Sequence, residues 1–133
     1  MKTLAATLMG SLAAIALGTA FAAPDGPAEI NTALTHARMA AAGTDLKTVD
    51  MHLHHVVNCL VGAKGTGFDA SAGNPCQGMG DGALSDTMDK ALRSKLQTAL
   101  DAANHALADT NFDSAKKTAA SVVESLKTDV KPQ

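Results

Sequence analysis

Apolar residues recur at intervals of three and four positions in four separate stretches of the chain. This spacing lines them up on one face of an α-helix, and it constrains the fold more than any other feature of the sequence. The first and second stretches are joined by a very short connection, as are the third and fourth, so each pair must form an antiparallel hairpin. No stretch shows the alternation of a β-strand. The sequence therefore predicts an all-α fold, an up-down-up-down four-helix bundle.

Proline, glycine and capping residues mark the ends of the predicted helices. The predicted bounds are about 27–42 for the first helix, Thr44 (the expected N-cap) to Gly62 for the second, Ser85-Asp86 (the expected cap) to about 108 for the third, and Thr110 (the expected cap) onwards for the fourth. The core is expected to be dominated by large apolar residues on the inner faces, namely Ile30, Leu34, Leu53, Val56, Leu60, Leu92, Leu96, Phe112, Val122 and Leu126.

A long glycine-rich loop, residues 62–84, separates the second helix from the third and contains seven glycines. A loop of this length in a small domain is usually functional, disordered or covalently tied. Cys76 lies in the loop and Cys59 lies near the end of the second helix. If the chain is exported, these two cysteines most simply form a disulfide that ties the loop to the bundle.

The N-terminal segment, residues 1–22, has the pattern of a secretory signal peptide. Lys2 precedes an apolar, Ala/Gly-rich run, and Ala20 and Ala22 provide small residues at the expected cleavage site. We therefore expect a single domain, residues 23–133, that is periplasmic or secreted and has no membrane span after cleavage. The formal net charge of −2 gives no basic surface for binding nucleic acid.

Three of the five histidines, His52, His54 and His55, fall within four positions of the second helix. His36, on the first helix, is as far from the turn at 43–44 as His52 is, so the two lie at one height in an antiparallel pair. Small or apolar neighbours on this flank indicate that the two side chains converge. His55 lies one turn beyond His52 on the same stripe. We expect His36, His52 and His55 to bind copper or zinc, which accept neutral imidazole ligands.

Further ligands are possible around these three histidines. The candidates are His54, which lies on the other flank where Asp50 could pair with it, and the sulfur atoms of Met51 and Met79. The tied loop could also bring Asp69, Met79 or Asp81 towards the histidines. His105 points away from the apolar face of the third helix and is expected to be a solvated side chain.

Two other functions remain open at this point. In helix count, helix length and export, the chain is similar to the small exported haem bundles of the cytochrome b562 type, which implies non-covalent haem b bound by a histidine and a methionine. The other alternative is a metal-free module that binds a protein partner through the 62–84 loop. The protein is expected to be a monomer or a homodimer. Enzymatic activity is not expected, because no nucleophile lies in a catalytic motif, and the absence of Cys-x-x-Cys-His argues against covalent haem.

Overall fold

The computed structural model describes residues 25–127, and within this range the chain is all-helical with no β-strand. The predicted signal peptide and the last six residues lie outside the described residues. The elements are α1 (Gly26–Ala42), α2 (Leu46–Val61), a 3₁₀ turn (Ala70–Ala72), α3 (Ala83–Asp86), α4 (Lys90–Leu107) and α5 (Phe112–Leu126). No helix between residues 25 and 127 has the length and apolar character needed to span a membrane.

Each long helix begins at an Asp or Asn whose side chain accepts a backbone N–H of the first turn. The four caps are Asp25, Asp45, Asp89 and Asn111. The prediction that Thr44 and Thr110 cap the second and fourth helices is wrong, because in both places the next residue takes that position. Asp45 accepts both the Thr48 backbone N–H (2.8 Å) and the Thr48 hydroxyl (3.0 Å), and an ionised carboxylate is a stronger acceptor than a hydroxyl.

The predicted third helix is divided into two. Ser85 and Asp86 lie inside the short α3, and the cap of the long α4 is Asp89. The predicted Ser85-Asp86 cap is therefore wrong. The physical reason is a contact with the glycine-rich loop, since the Asp86 side chain accepts the backbone N–H of Asp81 (2.9 Å). Arg93 then donates to the carbonyl of buried Thr87 and steadies the break between α3 and α4.

The four long helices bury one continuous apolar core. Helix α1 packs against α2 and α5, and α4 packs against α2 and α5. Most of the predicted core residues are buried, but Leu34, Leu92 and Phe112 are only partly buried and pack at its edge. Alanines occupy much of the centre, namely Ala33, Ala37, Ala40, Ala99, Ala103, Ala106, Ala115 and Ala119. Because alanine side chains are small, the helix axes can approach closely.

The loop of residues 62–82, here called the covering loop, returns to the end of α2. The predicted disulfide between Cys59 and Cys76 is present, with Cα atoms 5.2 Å apart. The loop ends cross so closely that a Cβ on Gly62 (φ +70°) would overlap the Asp81 carbonyl, and one on Gly82 (φ +107°) would overlap the backbone of Val61. Glycine is required at both positions for its positive φ and its lack of a side chain.

Candidate metal centre

The structure brings His36 of α1 and His52 of α2 together at the outer edge of the seam between the two helices. Their Nδ1 atoms lie 3.1 Å apart and both side chains are half-buried. The separation in sequence is sixteen residues, and the tight turn at 43–45 makes the two helices antiparallel neighbours. The predicted convergence of the two rings at one height is therefore confirmed.

His55, one turn further along α2, completes a cluster of three histidines. Its Nδ1 atom lies 3.3 Å from the Nδ1 atom of His36, and the ring centroids of His36 and His55 are 4.6 Å apart. One ligand atom from each of the three rings falls within 4.8 Å of the other two. We call His36, His52 and His55 the three-histidine cluster.

The spacing within this cluster suits a single small metal ion. Zinc binds imidazole nitrogen at about 2.0–2.1 Å, so two nitrogens in a tetrahedral site lie about 3.3–3.4 Å apart. The two Nδ1 distances from His36, 3.1 Å and 3.3 Å, are close to that value. At most one hydrogen fits between a pair of nitrogens at this distance, so at least one nitrogen of each pair presents a lone pair.

The surroundings of the cluster favour the neutral, metal-binding form of His36 and His52. Burial lowers the pKa of His36, and repulsion from His55 and then His52 lowers it further. Burial, followed by repulsion from His55, lowers the pKa of His52 in the same way. Because a metal ion binds neutral imidazole, rings with a lowered pKa surrender fewer protons when a metal arrives at neutral pH.

The covering loop supplies a hydrogen bond that the sequence did not reveal. The His55 Nε2–H donates to the carbonyl oxygen of Ala72 (2.7 Å). Asn58, which is completely buried one turn after His55, bonds to the backbone on both sides of Ala72. An amide side chain among Val56, Val57, Cys59 and Leu60 was the available signal that this part of α2 meets another polar segment.

The remaining candidate residues lie outside the three-histidine cluster. The His54 ring is paired with Asp69 of the covering loop (Nδ1 to Oδ2, 3.4 Å), so the expected pairing with Asp50 is replaced by a loop contact. Asp81 pairs with Lys64 at 3.0 Å rather than approaching the histidines. His105 is exposed on α4, as expected.

The two candidate methionine ligands stay predictions. Met51 is adjacent to His52 on α2 and is 45% exposed. Met79 is partly buried, and its sulfur accepts a long hydrogen bond (3.8 Å) from the hydroxyl of Thr32, one turn before His36 on α1.

Comparisons with known proteins identify no relative from which a function could be transferred. The chain matches no protein-family model, no curated protein and no solved structure. The function is therefore inferred from the side chains of the three-histidine cluster and their surroundings.

Proposed function

We propose that this protein binds one late transition-metal ion, copper or zinc, through the Nδ1 atoms of His36, His52 and His55. The observation that carries the proposal is the pair of distances from His36 Nδ1, 3.1 Å to His52 and 3.3 Å to His55. Two α-helices supply the three rings, so the ligand positions are largely formed before metal arrives. Affinity order favours copper(II), whereas a tetrahedral closed site would favour zinc.

The proposed role is buffering, delivery or sensing of the metal in the periplasm or outside the cell. Three protein ligands are one fewer than the closed four-ligand set of a structural zinc site. All three rings are half-buried and not enclosed in the core. A fourth position is then open to water, to Met51 or Met79, or to a ligand from a partner, and such a site can exchange its ion.

The spacing of the rings supports a metal ion over haem b. The haem alternative needs one histidine and one methionine as iron ligands. Here three imidazole rings bring ligand atoms within 4.8 Å of one another, a set that a single small ion can use in full. The metal-free alternative, in which the 62–84 loop binds a protein partner, predicts no bound ion at all.

The finer architecture that we propose is an up-down-up-down bundle of α1, α2, α4 and α5 with the disulfide-tied loop between the second and third of these. The ring of contacts α1–α2, α2–α4, α4–α5 and α5–α1 supports this arrangement. In it, the three-histidine cluster lies on the outer edge of one hairpin, away from the alanine-rich centre.

Elemental analysis and a visible spectrum of the protein purified without added metal test the proposal. One copper or zinc ion per chain, with no Soret band, is the expected result. Chelator-treated protein should then take up one equivalent of the ion in an equilibrium titration at pH 7.5. A Soret band would establish the haem alternative, and failure to bind either ion would leave the metal-free interaction module.

A further inference from the structure

Asn58 is the one completely buried polar side chain near the three-histidine cluster among residues 25–127. Its Nδ2 group donates to the carbonyls of Asp69 (2.7 Å) and Gly73 (2.6 Å), and its Oδ1 accepts the backbone N–H of Asp69 (2.8 Å). Both amide hydrogens and the amide oxygen are therefore engaged. All three bonds go to the two ends of residues 69–73, here called the clamped segment.

The clamped segment contains the 3₁₀ turn Ala70–Ala72, and the carbonyl oxygen of Ala72 faces His55 Nε2 at 2.7 Å. A carbonyl oxygen can only accept, so Nε2 must carry the hydrogen. In a neutral ring the lone pair is then on Nδ1, the atom that lies 3.3 Å from His36. The position of one backbone carbonyl thus selects which nitrogen of His55 is free to bind a metal.

We infer that Asn58 is a positioning residue, which holds Ala72 against His55 and so keeps His55 in the Nε2–H tautomer that offers Nδ1 to the metal. The inference about metal affinity rests on the proposed function, whereas the tautomer is a property of the metal-free protein. Supporting hydrogen bonds of this kind orient ligating histidines, and losing one typically weakens metal binding about 10–100-fold.

The disulfide does not perform the same task. Cys76 lies three residues beyond Gly73, and its backbone N–H is bonded to the Asn74 side chain (3.0 Å). The disulfide therefore fixes the far side of the covering loop, while Asn58 acts on both sides of Ala72. Removing the Asn58 amide should free the Ala72 carbonyl even with the disulfide intact.

The test combines the tautomer of His55 with metal affinity in the wild type, Asn58→Asp, Asn58→Ala and the exposed control Asn104→Ala. Nitrogen-15 NMR of the metal-free protein near pH 8 reports which ring nitrogen carries hydrogen. The wild type and Asn104→Ala should show His55 only as Nε2–H. Asn58→Asp keeps the side-chain shape but loses both N–H donors, so it should show mixed tautomers and bind zinc about 10–100-fold more weakly.

Two results would overturn the inference. One is a wild-type His55 that carries its hydrogen on Nδ1, which decides the matter even if the Asn58 variants do not fold. The other is a folded Asn58 variant, confirmed by circular dichroism, with the wild-type tautomer and affinity. A wild type that shows the Nε2–H tautomer, with mixed tautomers in a folded Asn58 variant, but binds neither zinc nor copper would refute the proposed function and still support the positioning role of Asn58.

Discussion

The Nδ1 atoms of His36 and His52 lie 3.1 Å apart across the seam between α1 and α2. Both rings are half-buried, and burial lowers the pKa of each, so the pair holds neutral nitrogens at near-ligand spacing. Among residues 25–127, the carboxylate that pairs with a histidine is Asp69, and its partner is His54. Because protonation of both rings is unfavourable, their neutral nitrogens remain available to bind a metal ion.

Metal binding should weaken as pH falls. The pKa values of His36 and His52 are lower in the folded protein than the ordinary histidine value of 6.5. The contribution of their neutral forms to fold stability is therefore fully present above pH 6.5, and it is lost as pH falls through the lowered pKa values of the folded state. Protons therefore compete with metal only below about pH 6.5. Zinc titrations between pH 8 and pH 5 should show constant affinity at first and a steep decline later. Affinity that is unchanged at pH 5 would argue against histidine ligands.

Bound metal should stabilise the folded protein. An ion that binds only the folded state contributes about 2.7 kcal/mol when its free concentration is a hundredfold above the dissociation constant. Thermal denaturation with and without zinc measures the effect, and His36→Ala is the matched variant in which the shift should be largely lost. An equal shift in both proteins would place the ion elsewhere.

The fold and the three-histidine cluster were largely predictable, because both follow from helical geometry. Equal distance from one turn placed His36 opposite His52, and a spacing of three placed His55 beside them. Thr44 was wrongly predicted to cap α2 because Thr and Asp are both preferred N-cap residues. Asp45, the next residue, has the stronger acceptor and takes the position. The break before Asp89 depends on a hydrogen bond between the Asp81 backbone and the Asp86 side chain, five residues apart, and helical periodicity does not encode such a contact.

The contacts that the covering loop makes with His55 and Asn58 could not be predicted from the sequence, for a different reason. The groups that meet His55 and Asn58 are backbone carbonyls of Ala72, Asp69 and Gly73. Every residue carries such a carbonyl, so residue type does not mark the ones that are used. The pairing of His54 with Asp69 likewise depends on the path of the covering loop.

Truncation of a central side chain should test the assigned face of α2. Leu53 is completely buried, whereas Met51, two residues earlier, is 45% exposed. Leu53→Ala should lower the free energy of unfolding by about 2–5 kcal/mol, because it removes buried methyl groups and leaves a cavity. Met51→Ala should change it by less than about 0.5 kcal/mol. Urea denaturation of the metal-free proteins distinguishes the two, and similar losses would mean that the face of α2 is assigned wrongly.

The disulfide should stabilise the protein chiefly by restricting the unfolded chain. Cys59 and Cys76 close a loop with a sequence separation of 17, which corresponds to about 3 kcal/mol on the chain-entropy relation. The double variant Cys59→Ala/Cys76→Ala should lose about that much in urea denaturation while keeping its helical circular dichroism. Mass spectrometry of the unreduced wild type provides the companion check, and two free thiols in fresh material would contradict the assignment.

Glu29 should make the metal-free protein less stable as pH rises towards 7. Its side chain is 1% exposed. Its Oε1 accepts the Gly82 N–H, and its Oε2, when the carboxyl is ionised, has no hydrogen-bond partner among residues 25–127. Its pKa is raised from 4.5 to about 7, chiefly by burial. The Gly82 N–H opposes this shift, while Asp86 and then Asp25 contribute to it. A proton on Glu29 removes the repulsion from Asp86 and lets the carboxyl donate to the Asp86 side chain, a hydrogen bond that also raises the pKa.

For a carboxyl with a raised pKa, the stabilising proton is fully present below the unfolded value of 4.5 and is lost as pH passes about 7. The wild type should therefore lose about 3 kcal/mol relative to Glu29→Gln between pH 4.5 and pH 7. Comparing the two proteins cancels the opposite contribution of the histidines. Exposed Glu124→Gln serves as the control, and a stability difference between wild type and Glu29→Gln that does not vary with pH would refute the expectation.

The most direct measurement of the central claim is an equilibrium titration with zinc and copper(II) at pH 7.5 of wild type, His36→Ala, His52→Ala, His55→Ala and the exposed control His105→Ala. Wild type and His105→Ala should bind one ion with equal affinity. Each of the other three should bind more weakly by more than about a hundredfold, beyond the 10–100-fold typical of losing a supporting residue. If His36→Ala binds either ion as tightly as wild type does, the three histidines do not share a metal.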